Sequence, residues 1–295
     1  MMVIFGHKFN NMLSSLLHRL PLTRIKIGIA GILYRMVSLF TRKKKRIIKR
    51  NGITFEVDLT EGIDLSLFLF GNFQKHVTHN KQFSIKQNDV IIDVGANVGI
   101  MALQFAKMVP DGQVFAFEPT HYAWNKLQKN ISLNPELAKR IVTTQSFVSS
   151  EDKESADIIA YASWKVGGSR SNTLHPVHLG ESKSTEGVGS VQLDSFVKQQ
   201  NITRINFIKI DTDGHEFEVL KGARQTITAF KPAVIFEIGL YIMKEKGIDF
   251  DFYNDYFTSL GYTLYNSADM RSISMENYKK IIPEQGTIDI LALPR

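Results

Sequence analysis

The chain of 295 residues contains no cysteine. That absence removes every mechanism needing a thiolate: cysteine proteolysis, thiol redox chemistry, thiolate zinc sites and covalent cytosine-C5 methylation. Acidic residues are missing where basic ones are densest. Residues 1–50 hold twelve Lys and Arg and no acid precedes Glu56, which leaves 24 bases against 29 acids in residues 51–295. The formal charge of +7 is therefore a basic arm joined to a mildly acidic body. The body has no electrostatic reason to seek a polyanion, and nucleic acid is a disfavoured partner. Long apolar runs are also missing. Lys26 and Arg35 interrupt the stretch from Ile25 to Phe40, and its longest uncharged segment, Ile27 to Tyr34, falls far short of the roughly 20 residues of a spanning helix. With no clear secretory core or cleavage site, the expected location is cytoplasmic. What is present, 43% apolar and 22% charged residues, describes a globular chain and excludes disordered and collagen-like classes.

The arm divides from the rest near residue 50. Leu13, Leu16, Leu17 and Leu20 recur at helical spacing, and Arg42-Lys43-Lys44-Lys45-Arg46 follows the second apolar stretch. Residues 1–50 thus read as a basic amphipathic extension. It would either pack on the body or lie peripherally on the anionic inner surface of a membrane. Residues 51–88 form a lead-in with a strand at Gly52 to Asp58 and an apolar run from Leu65 to Phe70. From residue 89 to 295 apolar runs alternate with helical stretches: Val90 to Val94, Val114 to Phe117, Ile141 to Val148, Ile205 to Ile210, Ala233 to Ile238, Tyr262 to Tyr265 and Ile288 to Leu293. That alternation predicts an α/β, Rossmann-like domain whose mostly parallel seven-stranded sheet carries helices on both faces. The rhythm fails over 149–190, which reads as an insertion loop for substrate recognition.

Two motifs carry chemistry. Asp93-Val-Gly95-Ala96-Asn97-Val-Gly99 ends the first body strand and opens a helix, where open α/β sheets bind ligands. Its spacing is not the Gly-x-Gly-x-x-Gly of dinucleotide sites, which argues against an NAD-dependent oxidoreductase. Glu118-Pro119 closes the second strand, and a carboxylate there can accept both hydroxyls of a ribose. A glycine turn, a ribose-reading acid and no phosphate-binding lysine suit a nucleoside cofactor without phosphates, such as S-adenosylmethionine. Asp93 would face its sulfonium or amino group. The second motif, Lys209-Ile-Asp211-Thr-Asp213-Gly-His215-Glu216, sets four ionisable groups at a later strand end. It suits acid/base work, or helix capping with Asp213 as N-cap and Glu216 at the capping-box offset.

These segments, with Lys221-Gly222, Pro232 and Phe236-Glu237-Ile238, resemble the FkbM family of S-adenosylmethionine-dependent methyltransferases. The resemblance spans roughly residues 50–295 and is carried most specifically by the second motif. It departs at Asp213, where the family usually has Glu. It implies methyl transfer to oxygen, commonly a hydroxyl of a sugar, glycan or small glycosylated metabolite. On that basis Asp211, His215 and Asp213 are the candidate catalytic groups, with His215 or Asp211 as base. Asp213 and Glu237 would line the acceptor side, and Trp164 would stack on a sugar. Asp211, Asp213 and Glu237 could instead hold magnesium through oxygen ligands. Two alternatives stand beside this: an RNA ribose methyltransferase, and a non-catalytic membrane- or partner-binding protein with the same fold.

Overall fold

The computed structural model describes residues 23–156 and 182–295 apart from Arg42, Asn72, His79 and Lys81, together with Ile158, Ala160, Tyr161 and Val166. The leucine-spaced stretch Leu13 to Leu20 lies outside the described residues. The chain divides into two compact units, one formed by residues 1–73 and 161–182, the other by 74–160 and 183–295.

In the first unit, helix α1 (Thr23–Phe40) precedes strands β1 (Lys45–Arg50) and β2 (Ile53–Asp58), and helix α2 (Gly62–Phe70) follows. The boundary expected at residue 50 falls inside an antiparallel hairpin that pairs Arg50 with Ile53 and Lys45 with Asp58. Asn51 and Gly52 both take positive φ (50° and 80°), the two-residue turn whose twist matches a hairpin. Asn-Gly between two β-compatible runs was the signal for it, and the basic stretch became a strand because β2 offered an alternating partner. Ile53, Phe55 and Val57 of β2 are buried. The guanidinium groups of Arg46 and Arg50 stand 5.4 and 5.7 Å from the Phe68 ring centroid, which gives both cations a cation–π partner. The apolar run Leu65 to Phe70 lies within α2, which Gly71 ends at φ 71° by donating its N–H to the Leu67 carbonyl.

The remaining elements follow in chain order: α3 (Lys75–Thr78), β3 (Val90–Val94), α4 (Ile100–Met108), β4 (Gln113–Phe117), α5 (His121–Ser132), α6 (Pro135–Ala138), β5 (Ile141–Thr144), β6 (Phe147–Val148), β7 (Ala160–Tyr161), β8 (Ser182–Lys183), β9 (Ser190–Val191), α7 (Leu193–Gln199), β10 (Phe207–Ile210), α8 (Glu216–Lys221), α9 (Arg224–Phe230), β11 (Ala233–Ile238), α10 (Leu240–Lys246), α11 (Phe250–Ser259), β12 (Tyr262–Asn266), β13 (Ser272–Ile273), α12 (Tyr278–Ile281) and β14 (Ile288–Pro294). The main sheet has the order β13-β12-β14-β11-β10-β3-β4-β5. It holds eight strands rather than the seven expected, the extra one being the two-residue edge strand β13. Neighbours from β5 through β11 are parallel, while β14 lies antiparallel between β11 and β12. Strand order reverses between β3 and β10, the switch point where such sheets open a crevice at their carboxyl ends.

Near-continuous apolar strands are buried on both faces, with Ile91, Ile92, Ile208 and Val234 fully inaccessible. On one face Phe207 stacks on Phe83 at 5.0 Å and meets Phe105 of α4 edge-on at 5.7 Å. Elsewhere in the sheet Phe236 stacks on Tyr253 and Phe257 of α11 at 5.5 and 5.1 Å. The run Ile141 to Val148 is not one strand: β5 ends at Thr144, and β6 leaves the sheet to pair in parallel with β9. The described ends of the 149–190 segment are therefore ordered, with Lys153 and Ser190 exchanging backbone bonds of 2.9 Å.

Candidate active site

The glycine turn between β3 and α4 is held by its own unit. Gly95 and Ala96 donate their N–H groups to the Phe117 carbonyl at 3.0 and 2.8 Å, and Gly99 donates to Ala96. The Asn97 N–H goes to Glu118 Oε2 at 2.9 Å. These four amides are spent on protein acceptors, unlike the free amides with which a phosphate-binding loop cradles its ligand. The glycines answer to packing as well. A Cβ at Gly95, where φ is 77°, would stand 1.8 Å from the Asp211 carbonyl oxygen, and one at Gly99 would stand 2.5 Å from Leu127 Cδ1. The close approach that Gly95 permits is thus to the second motif, and it locks the two motifs together.

Glu118 is buried at the carboxyl end of β4. Its Oε1 accepts from the Thr120 N–H at 2.9 Å and from the Thr120 hydroxyl at 2.6 Å. That hydroxyl in turn accepts from the Ala123 N–H and caps α5. Burial raises the Glu118 carboxyl above its ordinary value, against the lowering pull of the Thr120 and Asn97 bonds. Pro119 follows directly, as expected, and its carbonyl faces the Gln145 side-chain amide at 3.5 Å.

Asp93 is wholly buried, and neither of its carboxylate oxygens has a hydrogen-bond partner. Its support is ionic: Lys209 Nζ lies 3.5 Å from Oδ1. Register explains the pair, since Lys209 stands directly opposite Asp93 across β3 and β10. Lys209 Nζ also bonds Asp211 Oδ2 at 3.1 Å. Burial alone would lower the Lys209 ammonium, but Asp211 and Asp93 outweigh it and hold the lysine charged.

The second motif divides into distinct tasks. Asp211 Oδ2 is engaged by Lys209 and by Gln74 Nε2, each at 3.1 Å. Glu216 is buried, and its Oε1 accepts from the Thr212 N–H, the Thr212 hydroxyl and the Gly214 N–H at 2.9, 3.0 and 3.3 Å. The capping-box expectation fails: the N-cap of α8 is His215 rather than Asp213, with no side-chain capping bond, and Glu216 is the first residue of the helix and holds the turn before it. Asp213 instead adopts a left-handed φ of 52°. Its side chain is exposed, at the mouth of a cluster of carboxylates. Desolvation, followed by the charges of Asp211, Glu216 and Glu118, pushes its carboxyl up to about 8. No hydrogen bond among the described residues engages it. His215 behaves oppositely, because burial and the neighbouring Lys246 push its imidazole down to about 4. Lys246 Nζ lies 3.3 Å from His215 Nε2, and an ammonium can only donate, so that lone pair is taken.

Glu237, at the end of β11, accepts from the Thr287 hydroxyl at 2.6 Å. Burial, then Asp211 and Asp289, raise its carboxyl well above the usual range. Two partners at this end of the sheet carry no sequence signal: Gln74 on Asp211, and His76, whose Nε2 pairs with Asp289. Asp289 faces Glu237 across β11 and β14. Among the described residues no three His, Asp or Glu side chains converge as a metal site. The described geometry thus gives no support to magnesium on Asp211, Asp213 and Glu237, and Asp211 is engaged by Lys209 and Gln74. Trp164 lies outside the described residues.

An open parallel sheet with its last strand inserted antiparallel, and a glycine turn that withholds its amides, define a Rossmann-like methyltransferase fold. A sequence model of the Methyltransferase FkbM domain matches residues 93–264, more than half of the chain, which therefore belongs to the FkbM methyltransferase family. Methyltransferase sdnD of Sordaria araneosa is 23% identical over 239 residues, covering 67% of this chain and 91% of that protein. Hexuronic acid methyltransferase AglP of Haloferax volcanii is 28% identical over 51% of this chain and 56% of its own length. The 2-O-methyltransferase NoeI of Sinorhizobium fredii is 24% identical over 48% of this chain and 60% of its own length.

Proposed function

We propose that this protein transfers the methyl group of S-adenosylmethionine to a hydroxyl of a sugar, a glycan or a small glycosylated metabolite. The observation that carries the cofactor is Asp93. Its carboxylate is buried without a hydrogen-bond donor beside a turn whose amides are already spent, and it shares the single Lys209 ammonium with Asp211, so the cluster keeps an excess of negative charge that suits a cation and disfavours phosphate. Glu118 spends both lone pairs of Oε1 on Thr120 and one of Oε2 on Asn97, which leaves the second lone pair of Oε2 for a ribose hydroxyl. Transfer to oxygen is supported by the 2-O-methyltransferase among the relatives, and a sugar acceptor by the hexuronic acid methyltransferase.

The cofactor supplies an activated sulfonium methyl, so the protein's own task is alignment and removal of one proton. With the cofactor bound, its methyl would pass from the sulfonium to the acceptor oxygen, the S–C electron pair staying on sulfur, and a residue of this chain would take the hydroxyl proton. Asp213 suits that role better than Asp211 or His215. Its carboxyl titrates near operating pH, it retains exposed surface, and no described hydrogen bond occupies it. Asp211 is tied to Lys209 and Gln74, and the His215 imidazole is too weak a base with its Nε2 filled. Glu237 would line the acceptor side.

Titration calorimetry with S-adenosylmethionine tests the cofactor, and absence of heat at millimolar ligand removes it. Incubating the protein with isotopically labelled cofactor and a glycan and metabolite extract, followed by mass spectrometry, identifies the acceptor. A label found on nitrogen or carbon overturns the hydroxyl assignment.

A further inference from the structure

Helix α1 is apolar on opposite faces. Val37 is buried, whereas Ile32, Met36 and Leu39 are 60%, 44% and 81% exposed. Their spacing puts these three on one stripe of the helix, where a water-facing helix carries polar residues. Ile47, on the outer face of β1 with Lys45 and Lys49, is 59% exposed. Among the described residues four of the six large apolar side chains that are exposed lie in residues 32–47, the other two being the isolated Val142 and Met275, and concentration is what marks an interaction surface.

The surrounding charge names the partner. Arg35, Lys43, Lys44, Lys45 and Lys49 are all exposed, and no acid precedes Glu56 in the sequence. We propose that the exposed stripe of α1, with the adjoining lysines, docks on an anionic lipid bilayer surface, α1 lying in the interface with Ile32, Met36 and Leu39 inserted. Among the described residues no helix is long and apolar enough to cross a membrane, so the chemistry is that of a helix lying on the surface. A second copy of the chain is a poor occupant, because two such faces would set lysine against lysine. Nucleic acid would satisfy the lysines but give three aliphatic side chains no partner. The inference rests on nothing in the methyl-transfer reading.

The test uses the full chain and sedimentation with vesicles of neutral phosphatidylcholine or of phosphatidylcholine with phosphatidylserine. Wild type binds the anionic vesicles and leaves the neutral ones. The Lys43→Ala/Lys44→Ala/Lys45→Ala variant loses about a hundredfold in partition, at roughly fivefold per basic residue near the surface. Leu39→Asp loses at least about tenfold, because a charge replaces an inserted apolar group. Both variants alter exposed positions, and an unchanged thermal midpoint shows that the fold survives. Equal binding to both vesicle types, no binding to anionic vesicles at low salt, or binding indifferent to Leu39→Asp overturns the proposal. So does ultracentrifugation showing a dimer that Leu39→Asp dissociates, which would make the stripe a self-association face.

Discussion

Replacing Lys209 with Met removes the ammonium from a buried position between Asp93 and Asp211 while keeping most of the side chain's length. Asp93 is then the exposed liability: it is wholly buried, has no hydrogen-bond donor and has lost its cation at 3.5 Å. Asp211 suffers less, since its side chain is 27% exposed and still receives Gln74. Breaking a buried pair from one side costs about 3–5 kcal/mol, a large share of the roughly 5–15 kcal/mol that holds a domain folded. Urea unfolding followed by circular dichroism should show the midpoint falling by about 1–2.5 M for a slope of about 2–3 kcal/mol/M. The loss has a sign with pH. Burial already raises the Asp93 carboxyl above its ordinary 3.8, and without Lys209 it rises further. The folded state then binds more protons than the unfolded one above that ordinary value, so stability falls as pH rises. The penalty should be full near neutrality and shrink as pH drops toward 3.8. Adding Asp93→Asn to Lys209→Met removes the orphaned charge and should recover much of the loss. A single-variant cost below about 1 kcal/mol, or one independent of pH, refutes the account of Lys209 as the counter-ion of a buried carboxylate.

Asp213→Asn should lower kcat by about 10²- to 10⁴-fold with little change in cofactor affinity, and wild-type kcat/KM should climb with pH through a midpoint near 8, because the base works only when deprotonated. A flat profile in steady-state assays removes Asp213 as base. Gly95→Ala puts a methyl 1.8 Å from the Asp211 carbonyl at a positive φ, and calorimetry should find S-adenosylmethionine binding lost along with roughly 2–4 kcal/mol of stability; near-wild-type binding contradicts the interlock of the two motifs. Glu118→Ala should weaken cofactor binding and also lower the thermal midpoint, since it frees the Asn97 and Thr120 donors. Chelator treatment should leave the transfer rate unchanged, and loss of rate restored by magnesium would overturn the absence of an oxygen cage.

The parts legible in the sequence are those whose cause is local. The glycine turn, the acid that ends β4 and the acidic turn after β10 declare themselves because positive φ, chain reversal and capping restrict residue type over a few positions. Alternating runs likewise announce an α/β sheet, but an apolar strand looks the same whether its neighbour is parallel or antiparallel, so the insertion of β14 between β11 and β12 was not readable. The site's electrostatics depend on register, which is non-local. Lys209 meets Asp93 only because β3 and β10, more than a hundred residues apart in the chain, align those two positions, and a one-residue slip would send the lysine to the other face. Gln74 and His76 reach Asp211 and Asp289 across still longer separations from a polar stretch with no periodicity. The hairpin β1–β2 is the contrary case: Asn51-Gly52 marks the turn locally, but the dense charge before it places the stretch with the basic amphipathic extension. Charge density alone does not decide whether a segment forms a strand, because alternate residues of a two-stranded hairpin can keep their charges in water or over a ring, as Arg46 and Arg50 do on Phe68.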